Sequence, residues 1–549
     1  MRTAQENHQY FKRYHSILSF LSILALIIIM QSCYKERLQF DKIAGGKWSP
    51  EFAAPIAYGN LTMADIIKGS KKTWQEDPNG FLSVIYSKDE VTDIADKVIK
   101  IPNQSNDTTF NFALPPGLAV GDSVTLNQSF HSEFDGNTSN ERIDSMLLKS
   151  GTLEFTISTD LNHDSYIEIS IPKLTKAGVP LRKKINFQYT GGGTSTKSIS
   201  INLKDYYLVL TSGTAGQANF IQQDFKILVT KKNNTDNSPY FYKVKQKISN
   251  ISYYLVLGYF HQHDIEIKES SVVIDLFDEQ MAGALYAEDP RLKITLHNSY
   301  GLPATMTFTE LYAERDGVKM NFTGSLLPTL TVDYPNFNEI GQSKSSVFLF
   351  NSSNSNIKDI IAMNPQNLFF KGIVKTNPQG TPIDNFTLDT SHISVDLEIE
   401  LPLYGHAINF VLRDTTILSG NDEDVDTKGI NEVTIRLKTK NSFPTDVFVQ
   451  VYMTDSLNNI IDSIFKSGSK ILDAAPVSGA PDYRVTASVD NTTLVKLTQE
   501  QLDNYKKAQK MIIETRSSTT QGGTNTVKIY TDNGVYFELS AKAIYVNDF

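Results

Sequence analysis

Short runs in which apolar and polar residues alternate recur along most of the chain, and this period of two restricts the fold more than any other feature. Leu153-Glu-Phe-Thr-Ile157, Ile167-Glu-Ile-Ser-Ile171, Val395-Asp-Leu-Glu-Ile-Glu-Leu401, Val433-Thr-Ile-Arg-Leu437 and Val447-Phe-Val-Gln-Val451 are examples. Alternation sends every second side chain to the same side. Each run therefore predicts a strand with one buried and one wet face, as in an antiparallel sandwich. Gly191-Gly-Gly193 and Gly213-Thr-Ala-Gly216 supply turns, and Asp532-Asn-Gly534 predicts a late hairpin. One stretch departs from the pattern. Thr498 and Gln501 form a capping box, and Leu502, Tyr505 and Ala508 fall on one helical face, so 498–508 predicts a short helix packed on a sheet. The expected class is all-β: tandem antiparallel β-sandwich modules with one short C-terminal helix.

The strands also repeat on a longer scale. Leu153-x-Phe155-x-Ile157, Leu292-x-Ile294-x-Leu296 and Val433-x-Ile435-x-Leu437 are offset by 139 and 141 residues. The second leads into Asn298-Ser-Tyr-Gly-Leu-Pro303 and the third into Asn441-Ser-Phe-Pro444, each followed by another strand. The first leads into Asp160-Leu-Asn-His163, without the proline. A domain-sized period points to tandem sandwiches and not to a solenoid. The expected division is a signal segment 1–32, a tether 33–48, an N-terminal β-rich domain 49–145, and repeats 146–285, 286–425 and 426–549.

The first 32 residues belong to targeting. Arg2, Lys12 and Arg13 precede an apolar run over 17–30, and its 14 residues fall short of the roughly 20 that span a bilayer. Ser32-Cys33 follows, and Cys33 is the only cysteine in 549 residues. A chain sent to an oxidising compartment pairs its cysteines or dispenses with them, so a lone survivor after an apolar run predicts attachment chemistry. Cleavage before Cys33 removes three basic residues and one acidic one, moving the net charge from −9 to −11. That balance, with no basic stripe, argues against nucleic acid as a partner.

The segment 30–33 resembles a lipobox, which implies that Cys33 is the lipid-attachment residue and that several acyl chains hold the protein on a membrane. The stretches 40–58, 61–67, 289–303 and 441–444 resemble large uncharacterised lipoproteins of the Bacteroidota. This resemblance implies a location, the cell envelope, and carries no catalytic residues. Tyr34 is not the aspartate associated with inner-membrane retention, which implies the outer membrane; Tyr34-Lys-Glu-Arg37 leaves the periplasmic or surface face open. The Asn-x-Pro corner is also similar to fibronectin-like modules, so an immunoglobulin- or fibronectin-like sandwich is expected. Asp-Ser/Thr triplets similar to the phylum's O-glycosylation acceptor place candidate sites at Thr108, Ser123, Ser145, Thr415, Ser456 and Ser463. Ordinary turn chemistry would also favour these pairs.

Catalytic motifs are missing: no Gly-x-Ser-x-Gly elbow, no His-Glu-x-x-His helix, no phosphate-binding glycine loop. His261 and His263 could share a strand face as two metal ligands, but no third histidine lies nearby, and a pair of exposed strand histidines is the simpler reading. Asp422, Asp424 and Asp426 are spaced as in a calcium loop, but Thr427 and Val433 stand where that loop needs Gly and Glu. A solvated acidic turn is the simpler reading, and no cofactor is expected beyond that calcium candidate. Trp48, Trp74, Tyr240-Phe-Tyr242 and Tyr253-Tyr254 are aromatic candidates for a sugar or protein platform, with the sandwich core as the competing place for them. The expected role is a non-catalytic binding or structural module, a scaffold or accessory subunit of an envelope complex. A glycan-binding protein of an uptake system would need a row of exposed aromatics, and a β-scaffold hydrolase would need converging titratable groups.

Overall fold

The structure, a computed structural model, describes residues 51–69, 73–93, 98–136, 140–211, 218–235, 238–277, 280–327, 329–418, 430–465 and 468–545. Nearly all regular structure is antiparallel strand, arranged as three two-layered modules.

In each module the long alternating strand that begins the repeat is central to one layer. Arg142–Thr159 pairs with Ser195–Asn202 and Tyr240–Tyr259. Arg291–Asn298 pairs likewise with Lys344–Phe350 and His392–Pro402, and Ile430–Asn441 with Val489–Thr498 and Gly534–Tyr545. The opposite layers repeat as well. Ser123–Glu133, Phe220–Thr230, Asp164–Lys176 and Val179–Phe187 lie in that order in module 1. Asp264–Val273, Asn367–Thr376, Ala304–Arg315 and Val318–Asn321 do so in module 2, and Tyr404–Ile417, Lys510–Thr519, Thr445–Thr454 and Ile460–Ser463 in module 3. The internal repeat is thus threefold in topology.

The corner after the central strand shows why the first copy lacks the sequence signature of the other two. Asn298 and Asn441 are both fully buried. Each accepts a hydrogen bond at Oδ1 from the backbone N–H two residues on, Tyr300 and Phe443. Each donates from Nδ2 to a distant carbonyl, Asp333 and Asp473. The hydroxyls of Ser299 and Ser442 cap the first residues of the last strands, accepting from His392 N and Gly534 N. In module 1, Thr159 and Asp160 hold these positions. Thr159 Oγ1 accepts from Leu161 N, and Asp160 Oδ1 accepts from Phe241 N. Hydroxyl and carboxylate do the work of amide and hydroxyl, so the corner persists while its sequence signature disappears.

Residues 49–145 do not form a domain of their own. Glu51–Thr62 pairs with Gly534–Tyr545 in module 3, Leu82–Asp93 pairs with His392–Pro402 in module 2, and Gln104–Phe112 pairs with Tyr240–Tyr259 in module 1. Each is added beside the last strand of its module, so the N-terminal stretch runs from the third module back to the first and binds all three together. The module joints are further closed by shared strands. Asn385–Leu388, from the module 2 stretch, pairs with 255–258 of module 1, and Gln280–Ala287 pairs with Tyr404–Ile417 of module 3. Modules 1 and 2 share one continuous apolar core. Module 3 holds two small clusters, around Val433, Leu497 and Leu502 and around Val451, Met511 and Ile513.

The predicted helix is present over Gln499–Lys507 with a reciprocal Thr498–Gln501 capping box. Leu502 packs on Val433 and Leu497. The Asp532-Asn-Gly534 turn is not a hairpin: Val527–Lys528 pairs with 404–405 in one sheet, while Gly534–Tyr545 belongs to the other. The turn carries the chain between layers, and Asn533 Oδ1 accepts from Tyr530 N to fix it. A small void between the layers of module 1, lined by Phe134, Met146, Leu153, Leu174, Leu208 and Ile221, is apolar throughout and has about 10 Å3 of free volume. Such a void is no larger than one water needs and offers that water no polar partner.

Candidate interaction face

Several sequence candidates lie outside the described residues: Cys33, Trp48, and the Asp422, Asp424 and Asp426 cluster. The histidine pair is placed differently from either expectation. Residues 260–263 form the link between Tyr240–Tyr259 and Asp264–Val273, so His261 and His263 are not strand residues. His261 has a positive φ of 60°. His263 Nε2 lies 3.3 Å from Glu141 Oε1, and that carboxylate is fully buried. The Glu141 hydrogen bond holds the His263 pKa above its usual value against the opposing effect of burial, with a further bond to Phe260 O acting in the same direction. The pair bridges the module 1–2 joint and is an ion pair when His263 is protonated. Among the described residues no cluster of three or more His, Cys, Asp or Glu could hold a metal ion.

The acceptor triplets fall in unlike settings. Ser145 is buried and its Oγ accepts from Tyr207 OH, which leaves no space for a glycan at that hydroxyl. Thr108 and Ser463 are half-buried, and Ser463 Oγ donates to Phe465 O. Ser123, Thr415 and Ser456 are exposed. Ser456 sits in a turn that Asp455 secures by accepting from Leu457 N and Asn459 N. The aromatic candidates are mostly internal: Tyr240, Tyr242 and Tyr253 are buried, with Phe241, Tyr254 and Trp74 half-buried. Burial pushes the Tyr242 hydroxyl up to about 12.

On the outer face of module 2, three strands bring Ser345, His297 and Asp396 into line. Ser345 Oγ is 2.7 Å from His297 Nδ1, and His297 Nε2 is 2.7 Å from Asp396 Oδ2. Hydroxyl, imidazole and carboxylate stand in the order that a hydrolase would use. The setting argues for a different role. The side chains project from an open sheet, and strand N–H groups point within the sheet plane, so none faces a carbonyl oxygen poised above it. Arg291–Glu400 and Lys293–Glu398 continue the same row across the same strands. The arrangement is a cross-strand polar ladder.

Among the described residues the exposed aromatics are ones that the sequence did not single out: Phe52, Tyr58, Tyr286, Tyr334, Phe337 and Tyr536, all in modules 2 and 3. Tyr334 precedes and Phe337 begins a one-turn helix closed by an Asn336–Glu339 capping box. Tyr286 stacks on His406. Tyr58 and Tyr536 share the outward face of the module 3 sheet that contains the N-terminal strand. Tyr58 is 80% exposed and lies across from Glu538; Tyr536 is one step away on that strand and donates to Glu538. The next strand presents Arg436, Lys438 and Lys440 on the same face, with Leu494, 60% exposed, beyond them. Two other cations there are neutralised, Lys496 by Glu432 and Lys542 by Glu51. No carboxylate among the described residues lies within ion-pair distance of the row of three.

No protein-family model matches the chain, and no curated protein matches it. Among solved structures it is similar to a secreted-protein candidate from Parabacteroides distasonis. That alignment has 14% identity over 53% of this chain and 88% of the other, with a TM-score of 0.26. It is also similar to the VP2 subviral particle of infectious bursal disease virus, at 9% identity over 83% of each chain with a TM-score of 0.13. Superpositions this loose carry no argument about fold or activity.

The tyrosines and the basic row share a face because of register alone. Strands 51–62, 534–545, 430–441 and 489–498 contribute alternate residues to it, and their other residues, such as Val433 and Leu497, fill the core. Alternation could have shown that Tyr58 and Lys438 point outward. It could not have shown that strands more than 470 residues apart in sequence lie side by side. Among the described residues no helix is long and apolar enough to cross a membrane.

Proposed function

We propose that the chain is a lipid-anchored, non-catalytic envelope protein of the outer membrane. Cys33 carries the lipid, and the three modules act as one binding or structural body within an envelope assembly. The observation that carries this reading is the position of the first strand. Cys33 precedes Glu51 by 18 residues, and Glu51–Thr62 is built into the sheet of module 3. A load applied at the cysteine therefore enters a folded sheet directly, and the other two N-terminal strands pass it to modules 2 and 1. Such stitching suits a part that must hold its shape while attached at one end. A glycan platform has less support, because the exposed aromatics fall in separate places and only Tyr58 and Tyr536 share a face.

The test is metabolic labelling with a clickable fatty acid, followed by shaving of intact cells and affinity capture of the tagged chain. The proposal expects label on the wild type, none on Cys33→Ala, and co-purification of envelope proteins. Label retained by Cys33→Ala refutes the anchor. Enrichment of polysaccharide in place of protein partners refutes the scaffold and favours glycan binding.

A further inference from the structure

We infer that the outward face of the N-terminal-strand sheet in module 3 is a docking surface for an anionic phospholipid headgroup layer. This rests on the membrane anchoring proposed above and adds a posture: module 3 lies with one sheet face on the membrane that holds Cys33.

Three observations point to this occupant. The first is where the undescribed chain ends. Residues 33–50 lead into Glu51 at the edge strand of this sheet, and 18 residues reach at most about 60 Å when fully extended. The lipid therefore keeps this sheet near the bilayer at all times. The second is charge. Arg436, Lys438 and Lys440 succeed one another on one strand, pointing outward, and form no ion pair among the described residues, although Glu538 stands opposite Lys438 and Asp490 opposite Lys440 in register, in a chain whose formal net charge is −9. The third is the kind of apolar group present. Tyr58 and Tyr536 flank the basic row on one side and Leu494 on the other. Tyrosine with an apolar ring and a polar tip is suited to the depth of the headgroups, and unpaired Lys and Arg are suited to phosphate.

Module 1 supplies an internal comparison. Lys243, Lys245 and Lys247 also stand in a row on one outward strand face. There Lys243 and Lys245 both face Asp107 at 3.8 Å, and among the described residues the exposed aromatics all lie in other modules. A row of three basic residues is therefore present in both modules, each with a carboxylate opposite in register, and only the module 3 row forms no ion pair among the described residues and is bordered by tyrosines.

The experiment uses the full mature chain with Cys33→Ser, which carries no lipid, so its outcome does not depend on the anchor. Binding to vesicles of equimolar phosphatidylglycerol and phosphatidylcholine is compared with binding to phosphatidylcholine alone by flotation. A basic side chain at an anionic surface strengthens binding by about fivefold. Replacing Arg436, Lys438 and Lys440 together by Gln should then weaken it on the order of 100-fold. Tyr58→Ala with Tyr536→Ala should weaken it further, and Lys243→Gln, Lys245→Gln, Lys247→Gln should leave it unchanged. Three results overturn the inference: no preference for the anionic vesicles, an equal loss in the module 1 variant, or self-association through this face in place of vesicle binding. Fatty-acid labelling of Cys33 is read separately, so failure of the anchor and failure of the surface are distinguishable.

Discussion

Alanine at Asn441 removes one side chain from a corner that four backbone groups rely on. Its Nδ2 lies 3.0, 3.2 and 2.8 Å from the carbonyls of Phe443, Thr445 and Asp473, and its Oδ1 accepts from Phe443 N at 2.9 Å. An amide has two N–H groups, so the three carbonyls share two hydrogens. The site is fully buried. Each group left without a partner in a dry corner costs about 1–3 kcal/mol. Taking the Phe443 N–H and two carbonyls at the lower end, where water enters the vacated space, gives about 3–4 kcal/mol. For a module with small core clusters this is a large part of a typical stability of about 5–15 kcal/mol. Asn441→Asp should be worse, because it keeps the acceptor, loses both donors and buries a charge among carbonyl oxygens. Hydrogen exchange read by mass spectrometry resolves the modules separately. Strands 430–441 and 534–545 should exchange faster by a factor on the order of 100 to 1,000, with Arg142–Thr159 unchanged. Acceleration below about fivefold, which corresponds to roughly 1 kcal/mol, would show that the corner is not held by this amide.

The His263–Glu141 pair predicts a pH dependence at the module 1–2 joint. His263 has a raised pKa, so its contribution is complete below the ordinary histidine value and is lost as pH rises through the folded one. Exchange at Asp264–Val273 should therefore accelerate as pH rises above the ordinary histidine value and through the raised one, and Glu141→Gln should remove the dependence; an unchanged profile in that variant would assign the effect elsewhere. Deleting residues 51–62 should open module 3, because Gly534–Tyr545 loses a neighbour along eleven residue pairs. Limited proteolysis should then release fragments from 430–545 while 104–259 stays intact. The same digestion pattern with and without that strand would mean that it adds nothing to the sheet.

Local chemistry was legible in the sequence where a short-range rule controls it. Alternation gave the strands, Thr498 and Gln501 gave the helix, and the Asn-Ser corners gave two of the three repeats. The remaining copy was read from its strand pattern and spacing alone, because at its corner Thr159 and Asp160 satisfy the same backbone groups with different atoms. The N-terminal strands were misread as a unit because pairing partners so distant leave no trace in a local pattern. Every second residue of 51–62 fits any sheet edge of suitable polarity, and nothing in the segment names strand 534–545. The same limit hid the candidate face, whose residues come from four strands. His261 and His263 looked like strand residues because their spacing of two matches a strand, yet the φ of His261 ends the extended run there. Ser345, His297 and Asp396 showed no motif because three separate strands supply them.

The order of the three N-terminal strands has a consequence for biogenesis. A ribosome makes 51–62 first, then 82–93, then 104–112, but their partners appear in the reverse order: 240–248, then 392–402, then 534–545. The earliest strand is therefore the last to be used, and Glu51 waits for Ile544, 493 residues later. Until then the apolar stretch Phe52-Ala-Ala-Pro-Ile-Ala-Tyr58 has no sheet to join. A product that stops short of its final strand would display that stretch as a mark of incompleteness, open to a protease or holding chaperone, while its first two modules were already folded.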